Sequence, residues 1–455
     1  MTAPTGRLSG IPITASSPVA FPGPPPAEAD VVVIGGGIIG VMTGWYLAQA
    51  GLRAVVLEKG RLAGEQSGRN WGWVRQQGRD PDELPIMVEA NRLWRGLPEK
   101  LRAAVGLANP GILYMASDAA GMAKYEAWME HARARQLDTR LLSGAEVSAQ
   151  LPGATKRWAG GLFTPSDLRA EPWAAVPALA RAASEDGLTV VENCAARGLE
   201  RTAGHVSAVV TEAGTIRTPE VVVAAGAWSR LFLGAEGVAI PQLSVRATVA
   251  ATGPLPDLGT PNGADDRIAF RRRADGGYTL AAGGFHELYI GRDAFRSLPA
   301  FFTQLRADPF GTRFLPAAPG GYPDAWGTPR RWALDGVSPF ERMRVLDPAP
   351  NAKKTRTLAQ DFAALFPAAG EVRLANAWAG MIDTMPDVVP VVDRVAEVPG
   401  LTIATGMSGH GFGIGPGMGR VVADLVRGRP PGHDLTRFRL SRFTDGSKVE
   451  LGPAL

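Results

Sequence analysis

The run Val31-Val32-Val33-Ile34-Gly35-Gly36-Gly37-Ile38-Ile39-Gly40 constrains this chain more than any other stretch. It reads as strand, glycine turn and helix, and Glu58 ends a second apolar strand, Ala54-Val55-Val56-Leu57, 21 residues after Gly37. That order is what a chain needs to wrap the ADP half of a dinucleotide. Gly35 permits the tight turn, Gly37 lets the backbone approach a pyrophosphate, and Gly40 lets the helix lie close to the strand. The predicted helix, residues 38–50, aims its unbonded N–H groups and positive dipole end at phosphate. A carboxylate at Glu58 accepts ribose hydroxyls and repels a 2′-phosphate.

The remaining bulk features narrow the class. A chain of 455 residues suits two domains or one large interleaved one, and its formal charge of +4 is scattered along the chain. Arg271-Arg272-Arg273 reads as a solvated face, so no nucleic-acid partner is expected. Cys194 is the single cysteine, which excludes an internal disulfide framework and a zinc knuckle and fits a reducing, cytoplasmic setting. No metal site is expected. No apolar run is long enough to span a bilayer. Residues 1–28 hold Pro22-Gly23-Pro24-Pro25-Pro26 and no apolar core, and read as a disordered leader.

Periodicity predicts helices over 84–101, 119–135 and 171–185, and strands over 188–191, 206–211 and 221–225. Residues 241–282 read as antiparallel strands with a hairpin turn at Ala274-Asp275-Gly276-Gly277. Residues 296–350 read as an inserted, mostly irregular module, and a last helix is expected from Pro416 to about Arg427. The expected organisation is α/β: a Rossmann-like nucleotide domain from 29–85, 150–240 and 370–430, interleaved with an α+β substrate domain. The latter comprises 86–149 and 241–369 and is built on an antiparallel sheet, and 431–455 form a tail.

Two further glycine-dense passes follow. The strand Val221-Val222-Val223 leads into Ala224-Ala225-Gly226-Ala227-Trp228-Ser229, and Leu401–Thr405 leads into Gly406-Met407-Ser408-Gly409-His410-Gly411-Phe412-Gly413. A single nicotinamide cofactor needs only the first motif; three passes call for a larger cofactor. With Trp378-Ala379-Gly380, Met385-Pro386-Asp387 and the segment 57–69, these motifs resemble the D-amino-acid-oxidase superfamily of FAD enzymes. Within it the chain is most similar to the membrane-bound bacterial L-amino acid deaminases, with further similarity to monomeric sarcosine oxidase and glycine oxidase. The resemblance covers residues 30–439 and includes Ser338-Pro339-Phe340-Glu341.

The resemblance implies non-covalent FAD, with Gly35, Gly37, Ile38, Ile39, Gly40, Glu58, Lys59 and Glu65 around the ADP moiety. It places Ser67, Gly68 and Arg69 along the pyrophosphate and Ala195 or Ala196 at the adenine. Ala225, Gly226, Trp228 and Gly380 complete the site, and Gly409, His410, Gly411 and Phe412 lie along the flavin. It also implies oxidation of an amino acid or related amine: hydride leaves the α carbon for flavin N5, and water hydrolyses the imine to a keto acid and ammonia. The flavin subunit of a heteromeric opine- or sarcosine-type oxidase, an oxidase of secondary amines, and a non-catalytic flavoprotein are the alternatives. The electron acceptor is oxygen or another molecule, and the oligomeric state is open.

Such chemistry asks for an arginine to hold the substrate carboxylate. Arg75, in Trp71-Gly72-Trp73-Val74-Arg75, is the first candidate, and a cation–π stack is its structural alternative. His286 matches an active-site histidine of sarcosine oxidase by register, and Phe285 a substrate-contacting phenylalanine of the deaminases. His410 suits a structural role beside the flavin. The departures are as telling. The deaminases' carboxylate arginine falls at Gly283, their pocket tryptophan at His410, and their flavin-side glutamines at Trp73 and Val249. Sarcosine oxidase's oxygen-activating lysine falls at Ala282 and its flavin-linking cysteine at Gly380. The substrate pocket is thus rebuilt. The deaminases' insertion is retained at 296–350, which leaves peripheral membrane contact open.

Overall fold

A computed structural model describes residues 11–308 and 311–452. Two sheets organise it. The first has six strands in the order Val391–Arg394, Leu401–Thr405, Glu220–Val223, Val31–Ile34, Ala54–Leu57, Thr189–Val191. All neighbours are parallel except the first pair. Val31 and Val33 feed one core, with helices Ile38–Gln49, Leu84–Arg95, Pro172–Glu185 and Gly411–Val426. Val32 and Ile34 feed a second core, shared with the three-stranded antiparallel sheet of Ala196–Thr202, His205–Thr211 and Gly214–Arg217. The period-2 alternation therefore buries both faces, as a parallel sheet covered on two sides requires.

The second sheet has ten strands. Its centre is Leu243–Thr252, which pairs antiparallel with Leu374–Thr384 along its whole length and with Tyr278–Ala281 and His286–Tyr289 on its other edge. The hairpin expected at Ala274–Gly277 joins Ala269–Arg272 to Tyr278–Ala281, with Gly276 at φ +84°. Helix Ala352–Leu365 covers one face through Leu358, Phe362 and Leu365. The mixed α/β architecture agrees with the expectation, and the details refine it. Strands Gly160–Thr164 and Leu374–Thr384, placed above in the nucleotide domain, belong to the ten-stranded sheet.

Other expectations are corrected. The helix predicted over 84–101 is two, Leu84–Arg95 and Glu99–Ala104, because Gly96 and Pro98 interrupt it. The insertion opens with a regular helix, Arg292–Ala307. The last helix begins at Gly411 and runs through Pro416. Arg271 and Arg273 are not solvated. Both are buried: Arg271, on strand Ala269–Arg272, pairs with Glu171 at 2.9 and 3.0 Å, and Arg273, just beyond it, donates to Tyr278 O and Thr252 O.

Of the leader, residues 1–10 lie outside the described residues. Residues 11–28 are not a free tail. Arg61 donates to Ser17 O, Arg69 to Ile13 O, and Glu192 receives the N–H groups of Ala20 and Phe21.

Candidate FAD and substrate site

The C-terminal ends of the parallel strands and one face of the large sheet enclose a cleft of about 770 Å³, within the range of small-molecule and cofactor sites. Its nucleotide end is backbone. Gly35 sits at φ +120°, where a Cβ would lie 2.3 Å from Ala224 O. Gly37, Ile38 and Ile39 form the wall at the N-terminus of helix Ile38–Gln49, and Ser67 Oγ accepts the Ile38 N–H at 3.0 Å. Glu58 closes this end. Each of its carboxylate oxygens receives one backbone N–H, from Gly36 at 2.9 Å and Gly60 at 2.7 Å, which aims the group at the cleft. Burial pushes its pKa up to about 7; Lys59 opposes the rise and Glu65 adds to it.

Lys59, Glu65 and Trp228 line the cleft but bond chiefly to one another and to the insertion's return. Lys59 donates to Glu65 (2.7 Å), Met343 O (2.8 Å) and Arg344 O (3.1 Å), and Trp228 Nε1 donates to Glu65. Arg344 donates back to Lys59 O at 2.9 Å and pairs with Glu212, and Arg197 pairs with Glu341. At Gly60 a Cβ would lie 1.9 Å from Arg344 O, so the return strand is pressed against the nucleotide turn.

Ala196, Ala225, Gly226, Arg69 and Gly380 also line the cleft, and so do Gly409, His410, Gly411 and Phe412 at the N-terminus of helix Gly411–Val426. Four expected contacts lie behind the wall instead. Gly40 and Gly68 serve packing, since a Cβ on either would fall within about 2 Å of a carbonyl, 1.9 Å from Gly35 O and 2.1 Å from Ala63 O. Ala195 is occupied on both backbone groups by Glu212. Phe285 lies just before strand His286–Tyr289 and off the cleft wall, with Lys354 Nζ 4.2 Å over its ring. Cys194 is buried beside Ala196 near Glu58, whose carbonyl accepts its N–H at 2.9 Å.

At the other end the cleft is walled by Trp71, Trp73, Tyr114, Val249 and His286. Arg75 is 7% exposed; it donates to Gln77 O at 2.7 Å and stacks 5.2 Å from the Tyr114 ring centroid. Arg75 does stack on an aromatic ring, but on Tyr114 and in the buried wall of the cleft rather than at the surface. His286 also lines the wall, and burial lowers its pKa. His410 is pushed well below the ordinary histidine range by burial, with Arg79 and Arg75 adding to the effect. In both, burial disfavours the charged imidazole.

Sequence reasoning missed Arg79. Gly78 takes φ +69° and turns the chain back, so that Arg79 Nε donates to Arg75 O at 3.0 Å and Arg79 joins the wall. It sits in a loop, where no motif or helical spacing marks it. Asp383 was missed likewise; it lines the cleft and fixes the third glycine pass by accepting the Gly406 N–H at 2.8 Å.

The geometry suits a long cofactor: glycine backbone at three passes, two helix N-termini and one carboxylate aimed inward. Residues 30–425 match the FAD dependent oxidoreductase family, DAO. The chain belongs to that family. FAD is its cofactor, and it is an enzyme of the oxidoreductase class. Among solved structures it is similar to the L-amino acid deaminase of Proteus myxofaciens in complex with anthranilate, with 33% identity and a TM-score of 0.88 over 95% of this chain and 98% of that one. The L-amino acid deaminase of Proteus vulgaris matches at 31% identity and a TM-score of 0.87 over 92% and 98%. The resemblance to the deaminases is thereby borne out. Human mitochondrial sarcosine dehydrogenase is 27% identical over 92% of this chain, which spans only 42% of that protein's length. Sarcosine oxidase subunit beta of Rhizobium meliloti is 25% identical over 94% of this chain and 91% of its own. Among the described residues no helix is long and apolar enough to cross a membrane.

Proposed function

We propose that this enzyme oxidises an amino acid or a related secondary amine at the α carbon. When bound, FAD would supply a two-electron acceptor for the hydride of the α carbon, and the resulting imine would be open to hydrolysis by water. The protein's part is to orient and desolvate. The carrying observation is Arg75, a guanidinium sunk in the aromatic end of the cleft, suited to a substrate carboxylate. Non-covalent attachment is supported by Gly380 on the wall and by the place of Cys194, at the Glu58 end. Anaerobic mixing of the FAD-loaded protein with L-, D-, N-methyl and cyclic amino acids tests the reading. Bleaching of the flavin by some of them is expected, and a flavin that none of them bleaches defeats it. The rate of recolouring in air then sorts oxidase from dehydrogenase.

Two extensions have their own support. The near full-length similarity to a sarcosine oxidase subunit favours a heteromeric reading, in which activity depends on a partner. Peripheral membrane contact is favoured by the insertion, where Phe295, Leu298, Phe302 and Phe314 are exposed among Arg292, Arg296 and Arg313. Flotation with anionic vesicles, lost in a Phe295→Ser/Phe302→Ser variant, is the expected result. With one cysteine and no spanning helix among the described residues, a cytoplasmic location is the reading that accompanies it.

A further inference from the structure

A second guanidinium, Arg79, shares the substrate end of the cleft with Arg75, and among the described residues it makes no ion pair within 4 Å, although the charges of Glu83 and Asp167 act on it from farther off. Arg79 is 3% exposed, and its Nη1 is fully buried without a hydrogen-bond partner. Its Nε is held by Arg75 O, so the head group is fixed rather than free to swing to solvent. Two carboxylates lie in the neighbourhood, and neither makes an ion pair with Arg79 among the described residues. Asp167 is committed to Gln76 and Gln77, accepting the Gln76 N–H at 2.8 Å, its side-chain amide at 3.2 Å and the Gln77 N–H at 3.3 Å. Glu83 Oε2 is 3.2 Å from His410 Nδ1. Burial pushes Arg79 down to about 9 and Glu83 up to about 7, so this corner disfavours both signs of charge until something enters.

Removing a guanidinium from water without a partner is expensive, and the usual compensation is an anion with matched geometry. One α-carboxylate on Arg75 leaves Arg79 unmatched. We propose that Arg79 is a second anion-binding group of the substrate cavity, and that the amine oxidised here carries two carboxylates, one for each arginine. The inference rests on the amine-oxidation reading above and narrows it to amino-dicarboxylic acids, with the second carboxylate on the side chain or on the nitrogen substituent. At the outer end of the cleft Asp265 and Asp266 share Lys156 at 2.7 and 2.9 Å, Asp118 caps a helix, and Lys124 adds a positive charge.

The test compares compounds with and without the second carboxylate on the FAD-loaded protein: aspartate with asparagine, glutamate with glutamine, and iminodiacetate with sarcosine. The dicarboxylate of at least one pair is expected to bleach the flavin anaerobically with tenfold or greater advantage in rate over dissociation constant. Arg79→Gln should bring that ratio near one, and Arg79→Lys should keep part of it. A parallel measurement needs no turnover: glutarate should raise the melting temperature or shift the flavin spectrum at tenfold lower concentration than butyrate, and Arg79→Gln should abolish the difference. Equal handling of the paired compounds by the parent protein overturns the proposal, whether or not the variants fold. If no amine bleaches the flavin, the amine-oxidation reading fails by itself. The glutarate and butyrate comparison then still decides whether Arg79 binds a second anion.

Discussion

Glu83 Oε2 lies 3.2 Å from His410 Nδ1 and joins the start of helix Leu84–Arg95 to the glycine turn that opens helix Gly411–Val426. Glu83 is wholly buried, its Oε1 is unpartnered, and burial raises its pKa to about 7 from an ordinary value of 4.5. As pH rises the unfolded chain releases this proton first, so the group costs stability progressively between about pH 4.5 and 7 and the loss is complete above 7. Glu83→Gln removes the titration. Its unfolding free energy relative to the parent should climb from pH 5 to pH 8, by an amount on the order of 2 kcal/mol. A gap independent of pH between the two melting curves would contradict this assignment.

Glu58 gives a second pH effect, on cofactor uptake. Ribose hydroxyls donate to the ionised carboxylate, and burial holds this group near 7 in the ligand-free site. FAD affinity, read by quenching of flavin fluorescence, should tighten from pH 6 to pH 8 in the parent. Glu58→Gln should bind roughly tenfold more weakly at pH 8, the loss expected for one charge-assisted hydrogen-bond acceptor, and should show a flat profile.

Arg75 is tested through substrate rather than cofactor. Arg75→Ala should raise KM for carboxylated amines by tenfold or more while the ratio of flavin to protein absorbance stays at the parent value. An unchanged KM removes Arg75 from the substrate site.

The buried pair Arg271–Glu171 is structural. Both side chains are essentially solvent-free, and Glu171 also receives Arg169 at 2.9 Å and the Ala274 N–H at 2.9 Å. Arg271→Ala leaves that carboxylate without its bidentate partner and should cost about 3–5 kcal/mol, read by chemical denaturation. An Arg271→Met/Glu171→Gln double variant should recover much of the loss.

What the sequence disclosed was whatever local geometry dictates. The turn at Gly35, the acid at Glu58 and the strands flanking them are forced by short-range sterics and by period-2 burial, so they are legible from spacing. The helix from Gly411 was misplaced because its glycines read as a loop. They are contact positions: a Cβ at Gly415 would lie 2.4 Å from Ile38, at Gly417 2.6 Å from Ile86 O, and at Gly419 2.5 Å from Met42. Only the neighbouring helices explain them. Arg271 and Arg273 misled for the same reason, since a charge run reveals its inward face only once its strand register is known. Arg79 was silent because a single residue at φ > 0, Gly78, decides where it points.

The excursion between residues 292 and 346 turns apolar rings outward at Phe295 and Phe302, adds strand Thr312–Leu315 to the edge of the large sheet, and comes back pinned to Lys59 and Gly60 beside Glu58. Its anchors begin before Ser338: Trp332 Nε1 donates to Arg197 O at 2.7 Å and Leu334 O accepts from Arg197 at 3.3 Å. Trimming the excursion past residue 332 therefore strips support from strand Ala196–Thr202 as well as from Lys59 and Gly60.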